Sequence, residues 1–224
     1  MLPSRVACRW FLPDEVQASG ISGSVWHGRI AEGVAGGLYF RDLSWHLRPL
    51  SLFTGKLLFA AELAPPGGFA EADVGLTLDG SVLVNDLRAS VPLAALGRML
   101  QLNGATGDLS LQLETAELVA GWPSVLNGTI GVANLRIPSF ASLPLGAYRG
   151  EFQTTDDAIV GSVEDTGGVL DVAGTLRLAQ DRTYSFIGQV GATAAAPASV
   201  TQQLRFLGTP DARGLREFRF EGAL

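Results

Sequence analysis

One cysteine, one lysine and two histidines occur in 224 residues: a thiolate cluster is excluded, a two-histidine metal site lacks a linked cysteine or carboxylate pattern, and no familiar catalytic constellation is present. Cys8 alone excludes an internal disulfide and leaves the compartment open. Lys56 is the sole lysine, and 16 bases against 22 acids give a net charge of −6 with no Lys/Arg run. A stripe that tracks phosphates is therefore excluded, so no nucleic-acid partner is expected, and a charge-based grip on anionic headgroups is disfavoured. Long apolar runs are missing too: Val91 to Leu100 is the most apolar segment, and Arg98 interrupts it well short of the roughly 18 residues a membrane helix needs. Met1 to Arg5 lacks the apolar stretch of a signal peptide, so the chain reads as soluble, either cytosolic or separated from an anchoring segment.

Motifs for chemistry are equally scarce. Gly20-Ile21-Ser22-Gly23-Ser24 lacks the glycine spacing of a nucleophile elbow, and no glycine-rich loop precedes a helix as phosphate binding requires. Asp14-Glu15, Asp156-Asp157 and Glu164-Asp165 are adjacent pairs whose side chains diverge on a strand, and none has the spacing of a calcium loop. Asn127-Gly128-Thr129 matches a glycosylation sequon, but Asn-Gly is first a turn signal. The expectation is a protein that is not an enzyme and carries no metal or cofactor.

What the chain does have is glycine (28 residues), 47% apolar residues and only 17% charged ones, a balance suited to many short strands. Leu109, Leu111 and Leu113 alternate with Ser110, Gln112 and Glu114, the period-two pattern of a half-buried antiparallel strand. Leu43, Trp45 and Leu47 alternate with Ser44, His46 and Arg48 in the same way. Val74, Leu76 and Leu78 lead into Asp79-Gly80, a hairpin turn before Val82 and Val84. Further strands are expected near 24–33, 37–48, 54–63, 128–137, 147–155, 158–164, 168–178, 183–190 and 215–222. About a dozen strands predict an all-β, mainly antiparallel fold with two short helices, arranged as a curved sheet, half-barrel or sandwich.

The first helix is expected from Ser90, with Pro92 in its first turn and Leu93, Leu96, Met99 and Leu100 on one face. The second is expected from the capping-box spacing Ser199-Val200-Thr201-Gln202, with Leu204, Phe206 and Leu207 following and Gly208 as the stop. Each helix closes a block of strands, which suggests two related halves, 20–103 and 104–224, in one β-rich domain after a leading segment 1–19. Trp26 and Trp45 are read as core residues on strands, which turns the neighbouring His27 and His46 toward water. Trp122, between Gly121 and Pro123 in a loop-like stretch, is read with Tyr148 as a partner-contact residue.

Gly20-Ile21-Ser22-Gly23-Ser24-Val25-Trp26-His27-Gly28 resembles the G-x-S-G-(T/S)-x-W-x-G signature of the type II secretion system protein N family. Leu43-Ser44-Trp45-His46-Leu47-Arg48-Pro49 resembles that family's L-x-W-x-L-x-P step. Gly174-Thr175-Leu176-Arg177-Leu178, and Leu204 to Leu207 followed by Gly208, Asp211 and Gly214, continue the likeness to the C-terminal end. The resemblance implies a periplasmic region of a bitopic inner-membrane protein, whose transmembrane helix would precede about residue 5, leaving 1–19 as a post-membrane segment. It implies contact with other secretion subunits, the inner-membrane platform or the secretin, in support of the export of folded proteins. Gly23, Trp26, Gly28, Trp45, Pro49, Gly208 and Gly214 are the signature residues and are read as structural. Two other readings stay open: a β-groove that holds envelope lipid or lipopolysaccharide, and a carbohydrate-binding sandwich using Trp122 and Tyr148.

Overall fold

The alternation in the sequence is realised as strands joined in strict chain order, each hydrogen-bonded to the one before and the one after. The computed structural model describes residues 17–35, 37–49, 57–77, 80–97, 104–141 and 143–223. The first six strands are β1 (Gln17–Gly23), β2 (His27–Ala35), β3 (Leu38–Leu47), β4 (Leu57–Ala64), β5 (Phe69–Leu76) and β6 (Val82–Pro92). A short helix, α1 (Leu93–Leu96), precedes β7 (Thr106–Val119), β8 (Trp122–Arg136), β9 (Gly146–Thr154), β10 (Ala158–Gly168), β11 (Leu170–Ala179) and β12 (Thr183–Ala192). The helix α2 (Ala198–Leu204) and a 3-10 turn (Arg205–Leu207) then lead to β13 (Arg216–Ala223).

All pairings are antiparallel and form one 13-stranded sheet that is not closed into a barrel. A twisted sheet wider than about 10 strands curls or splits. Here bulges bend the strands. The register slips beside Asp42, Asp86 and Asn134, which hold positive φ of 54°, 51° and 53°. Asp and Asn tolerate that conformation better than other non-glycine residues, and a bulge sharpens the local twist. Because the strand number is odd, β1 and β13 run in the same direction, so an antiparallel closure between them is geometrically barred.

Burial follows the predicted alternation. Leu109 and Leu113 are buried between exposed Ser110, Gln112 and Glu114. One core cluster gathers Val91, Leu93, Leu96 and Leu109, so that α1 plugs the inner face of the sheet at β6 and β7. A second gathers Leu145, Leu170, Val190, Val200 and Leu204 beneath α2, and Leu135 packs against both. Burying each such aliphatic side chain contributes roughly 1.5–3 kcal/mol. These contacts hold helices too short to persist alone.

Several expectations change in detail. Ser90 belongs to β6, and α1 begins only after Pro92, whose ring fixes φ but whose ψ of 133° is extended. Met99 and Leu100, expected on its apolar face, lie outside the described residues, as do Leu78 and Asp79 of the expected hairpin turn; Leu76 pairs with Val82 across it. The capping box does not form: Pro197 is the N-cap of α2, and its carbonyl accepts from the Val200 and Thr201 amides. Gly208, with φ of 99°, does end the helical stretch. Asn127-Gly128 is no turn. It lies within β8 opposite a bulge at Glu114 of β7, and a Cβ on residue 128 would lie 2.3 Å from the Gln112 carbonyl oxygen. The Asn127 side chain there donates to Thr115 and accepts from the Thr154 amide, both at 2.8 Å, and so occupies backbone and hydroxyl groups that the bulge frees.

Candidate interaction surface

The signature stretch 20–28 builds the turn between β1 and β2. The expected strand 24–33 is therefore split at its start, because Gly23 and Gly28 face each other as the last pair of the ladder. Glycine is required at both places. Gly23 has φ of 96°, and a Cβ there would lie 2.5 Å from the His27 carbonyl oxygen; a Cβ on residue 28 would lie 2.3 Å from Cζ2 of Trp45. The Trp45 ring thus lies against Gly28, and its indole N–H donates to the Val25 carbonyl at 3.2 Å. The Ser24 amide donates to His27 at 2.7 Å and the Leu47 amide to Trp26 at 2.6 Å, so the turn is pinned from both sides.

Trp26 is the member of the signature that these bonds hold outward. It is 54% exposed, which overturns the reading of Trp26 as a core residue. The period-two argument fails there because residues 24–26 belong to the turn, where side chains no longer alternate. Trp45 does sit half-buried as expected, and His27 and His46 are both exposed and opposite each other across β2 and β3. His27 Nδ1 lies 3.3 Å from Ser24 Oγ. Trp26, His27 and His46 therefore share one end of the hairpin. Among the described residues no group of three or more His, Cys, Asp or Glu side chains is placed to hold a metal.

The two residues expected to make contacts are held from within. Trp122 is not in a loop but opens β8, half-buried, with its indole N–H donating to the Ala179 carbonyl at 3.2 Å, three strands away. Tyr148 on β9 packs against the second core cluster and donates to the Leu145 carbonyl at 3.3 Å. Burial, with the nearby Asp165 charge, pushes its hydroxyl up to about 12. Pro49 is exposed after β3, and Gly214, with φ of 85°, turns the chain into β13 with its amide on the Asp211 carbonyl at 3.0 Å.

Besides Tyr148 and Arg41, the ionisable groups perturbed by their surroundings are surface carboxylates in turns. The Arg177 guanidinium at 2.6 Å and the Thr155 hydroxyl hold Asp157 below the usual carboxylate range. Asp181 is lowered by the Thr183 hydroxyl and amide, and Asp211 by the Leu215 and Arg213 amides. Each fixes a loop and none faces a second titratable group across a cleft, as acid–base chemistry would need. Two depressions in the surface are open: one of about 330 Å³ lies across β11, β12 and β13 at Arg177, Tyr184 and Glu221, and one of about 510 Å³ crosses β6, β7 and β8.

An antiparallel sheet with packed, helix-plugged cores, exposed aromatics and outer strands that pair with no further strand among the described residues is the build of a protein that works by contact. The family described as "Type II secretion system (T2SS), protein N" matches residues 14–219, and the chain belongs to that family. It is similar to the type II secretion system protein N of Aeromonas hydrophila, 26% identical over 222 residues, which cover 95% of this chain and 86% of the relative. It is also similar to the type II secretion system protein N of Vibrio cholerae serotype O1, 24% identical over 233 residues, covering 100% of this chain and 91% of the relative. No solved structure matches the chain significantly. Membership makes it a periplasmic, non-enzymatic accessory subunit of the type II secretion system that acts through contacts with other subunits. No helix among the described residues is long and apolar enough to cross a membrane.

Proposed function

We propose that the β1–β2 turn is a principal contact point of this subunit, with Trp26 as its anchor. The observation that carries the reading is a large aromatic side chain left 54% exposed on a backbone fixed by two glycines, three hydrogen bonds and the Trp45 ring. Rigid aromatic anchors lose little entropy on binding, and tryptophan is enriched at the energetic centres of interfaces. Trp122 and Tyr148 rank behind it, since both spend their polar atoms inside the fold. The partner is an inner-membrane platform subunit or the secretin of the same machine.

The six strands before each helix support a further reading in which 20–103 and 104–224 are two related halves of one domain, and 1–19 is a segment leading from a membrane helix. The lipid-groove alternative gains no specific support, because side chains and a helix fill each core cluster. The test is a photo-crosslinking amino acid in place of Trp26 within cells carrying the assembled machine. Crosslinks to a secretion subunit are expected. Abundant crosslinks from positions 122 and 148, with none from 26, would overturn the assignment.

A further inference from the structure

The two edges of the sheet are built differently. At β1 Gly20, whose φ is 68°, makes no pair with β2 although the register holds on either side of it, and the strand ends at Gly23 in a turn. Bulges, prolines and charged side chains, lysine above all, are the usual guards that stop an edge from recruiting another strand. β13 has no bulge, proline or lysine: its register with β12 is unbroken from Arg216 to Ala223, and its charged residues are Arg216, Glu217, Arg219 and Glu221. Its charges are already engaged in part, since Arg219 pairs with Glu221 and the Arg216 side chain donates to the Gly208 carbonyl at 3.0 Å.

The side chains of β13 point to what would lie beside it. Throughout the sheet, large rings cover glycines: Cβ atoms built on Gly28, Gly33, Gly161 and Gly174 would lie 2.3–2.6 Å from Trp45, Phe40, Phe152 and Phe186 ring atoms, and one on Gly188 would lie 3.1 Å from Phe218. At the edge this series ends in a tilted stack, with Phe186 and Phe218 centroids 5.4 Å apart and Phe218 and Phe220 centroids 5.6 Å apart. Phe220 is 59% exposed. The last ring of the stack stands on the outermost strand with no strand beyond it among the described residues.

We propose that β13 takes up an extended segment of another secretion subunit by strand addition, with a glycine or other small residue of the incoming strand under the Phe220 ring. Main-chain hydrogen bonds along β13 supply the affinity, and Phe220 sets the register, as Phe186 and Phe218 do inside the sheet. The proposal rests on the contact reading above but uses a different surface from the Trp26 turn.

The test is hydrogen–deuterium exchange on the intact protein, with and without the purified periplasmic region of each of the system's other subunits at saturating concentration, paired with calorimetry on Phe220→Lys. The expected result is at least tenfold slower exchange of β13 amides on binding one subunit, and at least a tenfold loss of affinity in Phe220→Lys with an unchanged circular dichroism spectrum. Protection confined to the Trp26 turn would overturn strand addition and leave the Trp26 reading standing; protection of β13 alone would do the reverse. Slow β13 exchange in the free protein would show that the chain itself, or a second copy, covers the edge, and would also overturn the proposal. If Phe220→Lys does not fold, the exchange of the unaltered protein decides alone.

Discussion

Gly28→Ala tests the physical account of the signature turn. The new Cβ would start 2.3 Å from Cζ2 and 2.7 Å from Cη2 of Trp45, so the ring must retreat by about 1 Å to reach ordinary contact. Retreat is costly because the indole is rigid and its N–H is tied to the Val25 carbonyl. Overpacking of this kind costs ~1–3 kcal/mol. Losing the hydrogen bond adds about 1 kcal/mol, and the reduced freedom of the unfolded chain returns ~0.4–1 kcal/mol. The net destabilisation is about 1–4 kcal/mol, a fall in Tm of roughly 2–4 °C per kcal/mol for a chain of this size. Thermal and urea unfolding measure it, in a double-mutant cycle with Trp45→Leu, which removes the ring and its N–H. In that background Gly28→Ala should cost no more than about 0.5 kcal/mol, which is the scatter of independent sites. An equal cost in both backgrounds would refute the argument that Trp45 is what makes glycine necessary.

Leu204→Ala empties the space that α2 fills in the second core cluster, and a loss of about 2–5 kcal/mol in urea unfolding is expected. Tyr148 gives an alkaline signature. Its folded value of about 12 lies above the ordinary 10, so its contribution is full below pH 10 and is lost as pH rises through 12. Unfolding followed from pH 9 to 12 should fall less steeply in Tyr148→Phe. Asp157 acts at the other end: its lowered value means a contribution present above the ordinary carboxylate range and lost as pH falls through the folded value, so Asp157→Asn should flatten the acid limb of the stability curve.

The strands were the most legible part of the chain. Leu109, Leu111 and Leu113 announce β7 because a sheet with one buried face imposes a two-residue period, and the leucines of α1 reach the core as read. Local signals failed where tertiary pairing gave them another use. Asn127-Gly128 spells a turn, but a neighbouring strand on each side keeps it within β8, opposite a bulge in β7. Ser199 offers a cap one residue into a helix that Pro197 already starts. Trp26 was misread for the same reason: alternation cannot say where a strand stops, although the flanking Gly23 and Gly28 could have marked a closing pair. The exposed stack ending at Phe220 had no sequence signal of its own, since Phe218 and Phe220 alternate like any half-buried pair and only strand order makes β13 an edge.

Calorimetry of the purified protein and its Trp26→Ala variant, titrated with the periplasmic regions of the platform subunits and the secretin, tests the central claim most directly. Saturable binding to one of them is expected, with affinity reduced about tenfold or more in the variant, the effect of truncating an interface anchor, and with stability unchanged within about 0.5 kcal/mol. Equal affinity for both proteins, or no binding together with lipid retained by the purified chain, would contradict it.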